Sequence, residues 1–185
     1  MEINAENSRM MLLNKVVFAY REQLKIVDEE KMLAEEWNAF APKYNVFAKN
    51  VNENKLDINT YLMQRSYYPP RYNELVKKRL EIDVRRDSLT MFVVNYITAI
   101  IGKRRSDKNS ISNIPIKSKT KEIGEFYEKH KNLIEELIEI RDKIFSHWDN
   151  DYLESINEKR KISFEEMKSL INDLALIIGY KASLL

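Results

Sequence analysis

The chain of 185 residues has 31 lysines and arginines against 29 aspartates and glutamates, and its net charge of +2 provides no global field that favours nucleic acid or acidic lipid. With 3 glycines and 4 prolines, it holds few of the turn residues that an all-β sandwich or a Gly-rich nucleotide fold requires. The absence of cysteine excludes disulfides, thiolate nucleophiles and cysteine-bound zinc. The two histidines, His130 and His147, are too few for a histidine-rich metal site, and we expect no metal and no cofactor.

Neither the N-terminal residues nor the most apolar run predicts a membrane-targeting or membrane-spanning segment. The first residues lack a basic region followed by an apolar core and a cleavage site, so we expect no signal peptide. The apolar run over 91–101 is interrupted by Asn95 and Thr98 and is shorter than the ~20 residues that span a bilayer. A cysteine-free composition also suits a reducing compartment. We therefore expect a soluble cytoplasmic protein with no membrane partner.

Apolar residues recur at spacings of three and four in the first half of the chain, which predicts amphipathic helices. The first helical pattern extends from Met10 to Phe40, and it predicts one long kinked helix or two helices with Asp28 as a cap. The asparagine-rich segment 45–59 is predicted to be a loop with up to one turn of helix. A second long helix is predicted from Pro69–Pro70, because proline suits a first helical turn, to Gly102.

Two further helices are predicted in the second half. The third is predicted as one helix from an N-cap at Thr120 to Trp148, and the last begins with a capping box between Ser163 and Glu166. Strand patterns are almost absent. The sequence therefore predicts an all-α fold, an antiparallel bundle of four to five long helices in a single domain over residues 1–185. The sequence leaves open whether the first forty residues or so join this bundle or extend from it.

Three basic clusters, at 77–79, 85–86 and 103–105, are predicted to be solvated outer faces of helices, with phosphate contact as the alternative. The third helix carries a more specific constellation, Arg141, Asp142 and His147. An imidazole with an ordinary pKa of about 6.5 can transfer a proton at neutral pH, and a guanidinium can hold two phosphate oxygens. These residue types suit metal-free phosphodiester cleavage.

The spacing of Arg141 and His147 on the helix restricts how the two side chains of one chain can act together. Six steps of ~100° place Arg141 and His147 about 120° apart, so a straight helix does not aim both side chains at one atom. A two-fold dimer would bring two of each together. The alternative is that Arg141 and Asp142 form a surface ion pair and that His147 caps the last carbonyls of the helix.

The string from Ile140 to Asp149 resembles the HEPN superfamily, whose signature is an arginine and a histidine separated by four to six residues, in many members with a polar residue after the arginine. It is similar to the RDK-x-x-(A/S)-H-x-D form of abortive-infection-type members. The resemblance implies a metal-independent endoribonuclease, a toxin or antiphage effector, with a composite active site at a homodimer interface.

Carried onto this sequence, the resemblance implies that His147 is the general acid and base and that Arg141 contacts the phosphate and the transition state. Asp142 orients the arginine or the nucleophile, and Lys143 and Asp149 are substrate-binding candidates. RNA is the implied substrate, a second copy the implied partner, and an antitoxin protein a further candidate partner. Toxins that pair with a nucleotidyltransferase antitoxin commonly carry a tyrosine two residues after the histidine. Asp149 occupies that position here, which argues against regulation by tyrosine adenylylation.

The acidic residues near the motif allow two arrangements. Asp142, Asp149 and Asp151 either pair with Arg141 and Lys143 and point outward, or they repel RNA. Two other functions therefore stay open. One is a non-catalytic helical bundle that mediates protein or RNA binding, and the other is a helical domain that binds a mononucleotide without strand scission.

Overall fold

Five helices account for nearly all of the chain that the computed structural model describes, which is residues 5–102, 109–114, 119–146 and 162–180, with side chains in α4 described as far as Asp142. These helices are α1 (Ala5–Asn52), α2 (Ile58–Ile101), α3 (Thr120–Lys129), α4 (Lys131–Ser146) and α5 (Phe164–Ile178), and a 3₁₀ turn covers Ile111–Asn113. Within those ranges there is no strand. The predicted all-α helical bundle is confirmed.

The first helix is a single element of 48 residues, so one long helix is the correct alternative and the loop predicted from residue 45 is wrong as far as Asn52. The helix continues past Pro42, although proline lacks the N–H that an interior position would donate. Ring contacts explain why this part stays ordered. Tyr44 stacks on Tyr72 of α2 with centroids 4.9 Å apart, and Phe47 stacks on Tyr68 at 5.2 Å. Aromatic packing outweighs the local preference of the asparagines for a loop.

The second helix begins at Ile58, eleven residues before the predicted start, so Pro69 and Pro70 lie inside a helix of 44 residues. Asp57 provides the reason, because its Oδ1 accepts hydrogen bonds of 3.0 Å from the amides of both Asn59 and Thr60. The hydrogen bonds from Thr60 lower the pKa of the Asp57 carboxyl below its usual value. A satisfied first turn therefore extends the helix in the N-terminal direction from the prolines.

The single long helix predicted from Thr120 is divided in two at His130, whose backbone leaves the helical region at φ −106° and ψ 16°. The N-cap is Lys119, without a side-chain cap, and Thr120 is the first helical residue. The predicted end near Trp148 lies outside the described residues. The capping box of α5 is confirmed: Ser163 Oγ accepts from the amide of Glu166 at 3.1 Å, and the Glu166 carboxylate accepts from the amide of Ser163 at 3.3 Å.

Backbone contacts group the chain into two compact units, residues 1–21 with 89–185 and residues 22–88. In the first unit, the beginning of α1, the end of α2 and helices α3–α5 bury one apolar core. Its most deeply buried side chains include Leu13, Val16, Tyr20, Ile97, Ile100, Ile101, Ile111, Leu137, Leu170, Ile171 and Leu174. Residues 5–21 therefore join the bundle. The assignment of residues 1–185 to a single domain stays a prediction.

The second unit, residues 22–88, consists of the remaining parts of α1 and α2 and their connection, here called the hairpin unit. Its buried apolar residues are Ile26, Leu33, Phe40, Phe47, Leu75 and Ile82. Glu36 of α1 forms ion pairs with Arg71 at 2.9 Å and Lys78 at 3.2 Å, and Arg86 pairs with Glu30 at 2.8 Å. Parts of the basic clusters at 77–79 and 85–86 thus join the two helices instead of facing solvent alone. The cluster at 103–105 lies outside the described residues.

No helix in the described part of the chain is both long enough and apolar enough to cross a lipid bilayer.

Candidate functional site

The N-terminal two thirds of α4 pack against the core, and this packing fixes the position of the helix. Leu133, Ile134 and Leu137 are at most 5% exposed, and Ile140 is half-buried against the same core. The next residues, Arg141 and Asp142, lie where the buried face of the helix meets its solvent face. The side chain of Arg141 is 16% exposed and that of Asp142 is 50% exposed. The packing of α4 therefore restricts the guanidinium while the carboxylate stays accessible.

The guanidinium of Arg141 is held by the carboxylate of the next residue. Its Nε and Nη2 both donate to Oδ1 of Asp142, at 2.9 Å and 2.7 Å. Charge-assisted bonds of this length are stronger than neutral ones and hold the planar guanidinium in one orientation. Of the two arrangements predicted for the acidic residues, pairing with the arginine is the one that Asp142 adopts. This contact is expected both for an ordinary ion pair and for an arginine oriented toward a ligand.

The other predicted site residues are described only in part. Lys143 continues the helical backbone of α4, and its side chain is beyond the part described. His147 and Asp149 lie outside the described residues. Among the predicted residues, the structure thus brings together Arg141 and Asp142. The roles assigned to all five stay predictions.

A second polar cluster, which the sequence did not predict, lies at the break between α3 and α4. Asp173 of α5 accepts hydrogen bonds from His130 Nε2 at 2.7 Å and from Lys129 Nζ at 2.6 Å. The imidazole is 6% exposed and packs on Phe126 with ring centroids 5.1 Å apart. Burial acts to raise the pKa of the Asp173 carboxyl, but the bonds from Lys129 and His130 outweigh it and the pKa lies below its usual value. The cluster joins α3 to α5.

Shallow grooves flank this cluster. One, of about 380 Å³, is lined by Lys129, His130, Lys131 and Asn132 with Glu166 and Ser169 of α5. The other, of about 480 Å³, includes Phe126, Asp173 and Leu176. The sequence offers only a histidine inside a predicted helix as a signal for this cluster. Its partner, Asp173, is 43 residues downstream, and no local pattern connects the two. In the described ranges, no group of three or more His, Cys, Asp or Glu side chains is arranged to hold a metal ion.

Comparison with known families gives a match to the C-terminal part of the chain. Residues 113–185 match the family model HEPN_AbiU2, described as AbiU2. The matched range contains α3, α4 and α5 with both Arg141 and Asp142, whereas α1 and α2 precede it. Comparisons with curated proteins and with solved structures gave no match. The match supports HEPN superfamily membership, of the abortive-infection type, for residues 113–185.

Proposed function

We propose that this protein is a metal-independent endoribonuclease of the HEPN type, acting on RNA in the cytoplasm as a toxin or phage-defence effector. The observation that supports this proposal most directly is the Arg141–Asp142 pair. A guanidinium is held at 2.7 Å and 2.9 Å by the following carboxylate, within the residues that match the abortive-infection family. Four residues separate Asp142 from His147, which completes the arginine and histidine signature of the superfamily.

In the proposed reaction, the 2′-hydroxyl of the RNA attacks the adjacent phosphorus atom, and the bond from phosphorus to the 5′-oxygen of the next nucleotide breaks. A base removes the proton of the 2′-hydroxyl, and an acid donates a proton to the leaving 5′-oxygen. The products are a 2′,3′-cyclic phosphate and a 5′-hydroxyl end. The reaction consumes no water and requires no metal. His147 is the proposed base and acid, because an imidazole changes charge near neutral pH.

Arg141 is the proposed contact to the phosphate. Negative charge builds on the phosphate oxygens in the transition state, and an oriented guanidinium stabilises it. The contact to Asp142 uses Nε and Nη2, and the Nη1 edge is the one that we assign to the phosphate. Asp142 acts through Arg141 and is a positioning residue. Lys143 and Asp149 are proposed to contact the substrate outside the reacting group.

The composite site requires a second copy of the chain. Cleavage needs a base on one side of the phosphate and an acid on the other, and this motif provides one histidine per chain. A homodimer with two-fold symmetry brings two copies of Arg141 and His147 into one cleft. RNA and a second copy are therefore the proposed partners. An antitoxin protein that covers this cleft is a third.

The direct test is to incubate the purified protein with mixed RNA in EDTA and to analyse the ends that form. We expect 2′,3′-cyclic phosphate ends, and a loss of at least 100-fold in rate for Arg141→Ala and for His147→Ala. Lys121→Ala is the matched control, because Lys121 is a lysine on α3 with 87% of its side chain exposed, and it should keep the rate of the unchanged protein.

Each outcome of this test has one meaning. Cleavage that persists at full rate in both Arg141→Ala and His147→Ala contradicts the nuclease assignment. RNA binding by the unchanged protein without cleavage favours the non-catalytic alternative. Saturable binding of a mononucleotide that Arg141→Ala abolishes, again without cleavage, favours the nucleotide-binding alternative.

A further inference from the structure

Helix α2 carries a second apolar face within the hairpin unit, on the side away from α1. Leu75 and Ile82 are at most 6% exposed. On the opposite face, Val76, Leu80 and Val84 follow one another at intervals of four residues and are 43%, 63% and 58% exposed. We call these three residues the outer stripe. Residues four apart lie one above the other on a helix, so the outer stripe is a continuous apolar ridge.

Opposite charges flank the outer stripe on each of its two sides. Lys77 and Glu81 lie on one side, about 60° and 100° around the helix from Leu80, and they approach each other at 3.8 Å. Arg79 and Asp83 lie on the other side at similar angles and form an ion pair of 3.0 Å. On both sides, the positive charge precedes Leu80 in the chain and the negative charge follows it. This order gives the ridge a direction.

We infer that the outer stripe is an interface with a second copy of this chain, in which the two α2 helices pack antiparallel about a two-fold axis at Leu80. Reversing one helix about that axis places Leu80 against Leu80 of the partner subunit, and Val76 against Val84 of the partner subunit. On one side of the stripe, Lys77 faces Glu81 of the partner subunit. On the other side, Arg79 faces Asp83 of the partner subunit.

The flanking charges select the antiparallel arrangement. In a parallel pair, the side that carries Lys77 and Glu81 would face the side that carries Arg79 and Asp83 of the partner subunit, so lysine would meet arginine and glutamate would meet aspartate. Like charges at such positions repel and specify orientation. Exposed ion pairs contribute little free energy themselves. The apolar ridge therefore supplies the attraction, and the charges decide the direction.

This interface uses residues 76–84 of the hairpin unit and does not rest on the nuclease proposal, whose residues belong to the other unit. If the dimer at the HEPN motif also forms, the two contacts produce one dimer where their axes coincide and a larger assembly where they do not.

The absence of cysteine from the chain permits a geometric test by single-cysteine cross-linking under mild oxidation. We expect the full-length Leu80→Cys variant to form a disulfide-linked dimer rapidly. A mixture of Val76→Cys and Val84→Cys chains should form the mixed dimer. Val76→Cys alone should not cross-link, because antiparallel packing separates its two copies by about 12 Å along the axis, beyond the ~7 Å that a disulfide spans.

The matched control is Leu62→Cys, which replaces a leucine of the same helix that is 55% exposed. Antiparallel packing about Leu80 separates its two copies by about 54 Å along the axis. Equal cross-linking rates for Leu62→Cys and Leu80→Cys would indicate random collisions and overturn the proposal. Faster linking of Val76→Cys alone than of the Val76→Cys and Val84→Cys mixture would indicate a parallel pair and also overturn it.

Charge exchange provides a second test, measured by sedimentation equilibrium of the full chain. Lys77→Glu should weaken self-association several-fold, because it places two carboxylates opposite each other, and adding Glu81→Lys should restore it. Leu80→Glu should weaken association at least tenfold. Since Leu80 is exposed, folding should not suffer, and circular dichroism checks this. An unchanged association constant for Leu80→Glu, or no recovery in the exchanged pair, contradicts the interface.

Discussion

The hydroxyl of Tyr20 in α1 donates a hydrogen bond of 2.8 Å to the backbone carbonyl of Phe164, the first residue of α5. Their rings also meet edge to face, with centroids 5.8 Å apart. Burial, and after it the charge of Glu165, raises the pKa of the Tyr20 hydroxyl. Phe164 lies within the range that matches the HEPN family, and Tyr20 lies outside it. A residue before the matched range thus completes the packing of the matched helices.

The Tyr20 contact predicts a graded loss of stability. Tyr20→Phe removes the hydrogen bond but keeps the ring, and we expect the free energy of unfolding to fall by about 1 kcal/mol. Tyr20→Ala also removes a side chain that is 2% exposed, and a loss of about 3–5 kcal/mol is expected. Chemical denaturation measures both. Equal losses for the two variants would show that the ring contributes nothing to the packing.

Part of the core comes from residues before the matched range, and this predicts that residues 113–185 alone do not form a stable domain. Val16, Tyr20 and Ile97 precede the matched range and are at most 2% exposed in the shared core. Without them, α3–α5 would expose the apolar faces that these residues cover. We expect the fragment to lack a cooperative thermal transition, whereas the full chain shows one. Calorimetry of the two decides this, and a cooperative transition in the fragment would contradict the prediction.

Asp173 predicts a pH-dependent contribution to stability. Its pKa is lower in the folded protein than its usual value, so the carboxylate stabilises the fold above the usual aspartate pKa of about 3.9. That contribution disappears as the pH falls through the folded value. Asp173→Asn should therefore lower the free energy of unfolding by about 1 kcal/mol at pH 7, and the difference from the unchanged protein should vanish in strong acid.

Glu122→Gln, at an exposed carboxylate of α3, is the control for the Asp173 experiment and should have little effect at either pH. Denaturant titrations at a series of pH values measure both variants. A difference between Asp173→Asn and the unchanged protein that stays constant with pH would exclude an electrostatic role for this carboxylate.

The geometry at Arg141 predicts an order of activity at Asp142, given the proposed nuclease function. Asp142→Asn keeps an acceptor oxygen for the guanidinium, whereas Asp142→Ala removes it. Because a displaced catalytic group loses rate steeply, we expect kcat to fall roughly 10- to 100-fold in Asp142→Ala and less in Asp142→Asn, with KM nearly unchanged. Single-turnover RNA cleavage measures this. A full rate in Asp142→Ala would remove the positioning role.

Local patterns in the sequence were sufficient for the fold class and for the last helix. The apolar spacing of this segment predicted α5, and most of its apolar residues are buried, because an amphipathic helix buries the stripe that its periodicity defines. The capping box at Ser163 depends on residues three apart, so its prediction was correct. Arg141 and Asp142 were equally accessible to sequence reasoning, because their contact joins neighbours in the chain.

Most errors occurred where distant residues override local preference, whereas the error at the start of α2 came from a local cap, Asp57, that the sequence interpretation missed. Asparagines and prolines predicted a loop up to residue 59 and a helix start at Pro69, but stacked rings such as Tyr44 on Tyr72 and the cap at Asp57 extend both helices. His130 lies inside the single helix that the sequence predicts from Thr120 to Trp148. The break in the helix there accompanies a bond to a residue 43 positions away.

By itself, the sequence determined the helical class, the amphipathic faces and the adjacent arginine and aspartate, because each depends on residues within about two turns of one another. Tertiary structure alone decided that the start of α1 and the end of α2 complete the core around the matched helices, and that α2 keeps a second apolar face exposed. Both features depend on which elements pack together. Periodicity shows that a face is apolar, and only packing shows what covers it.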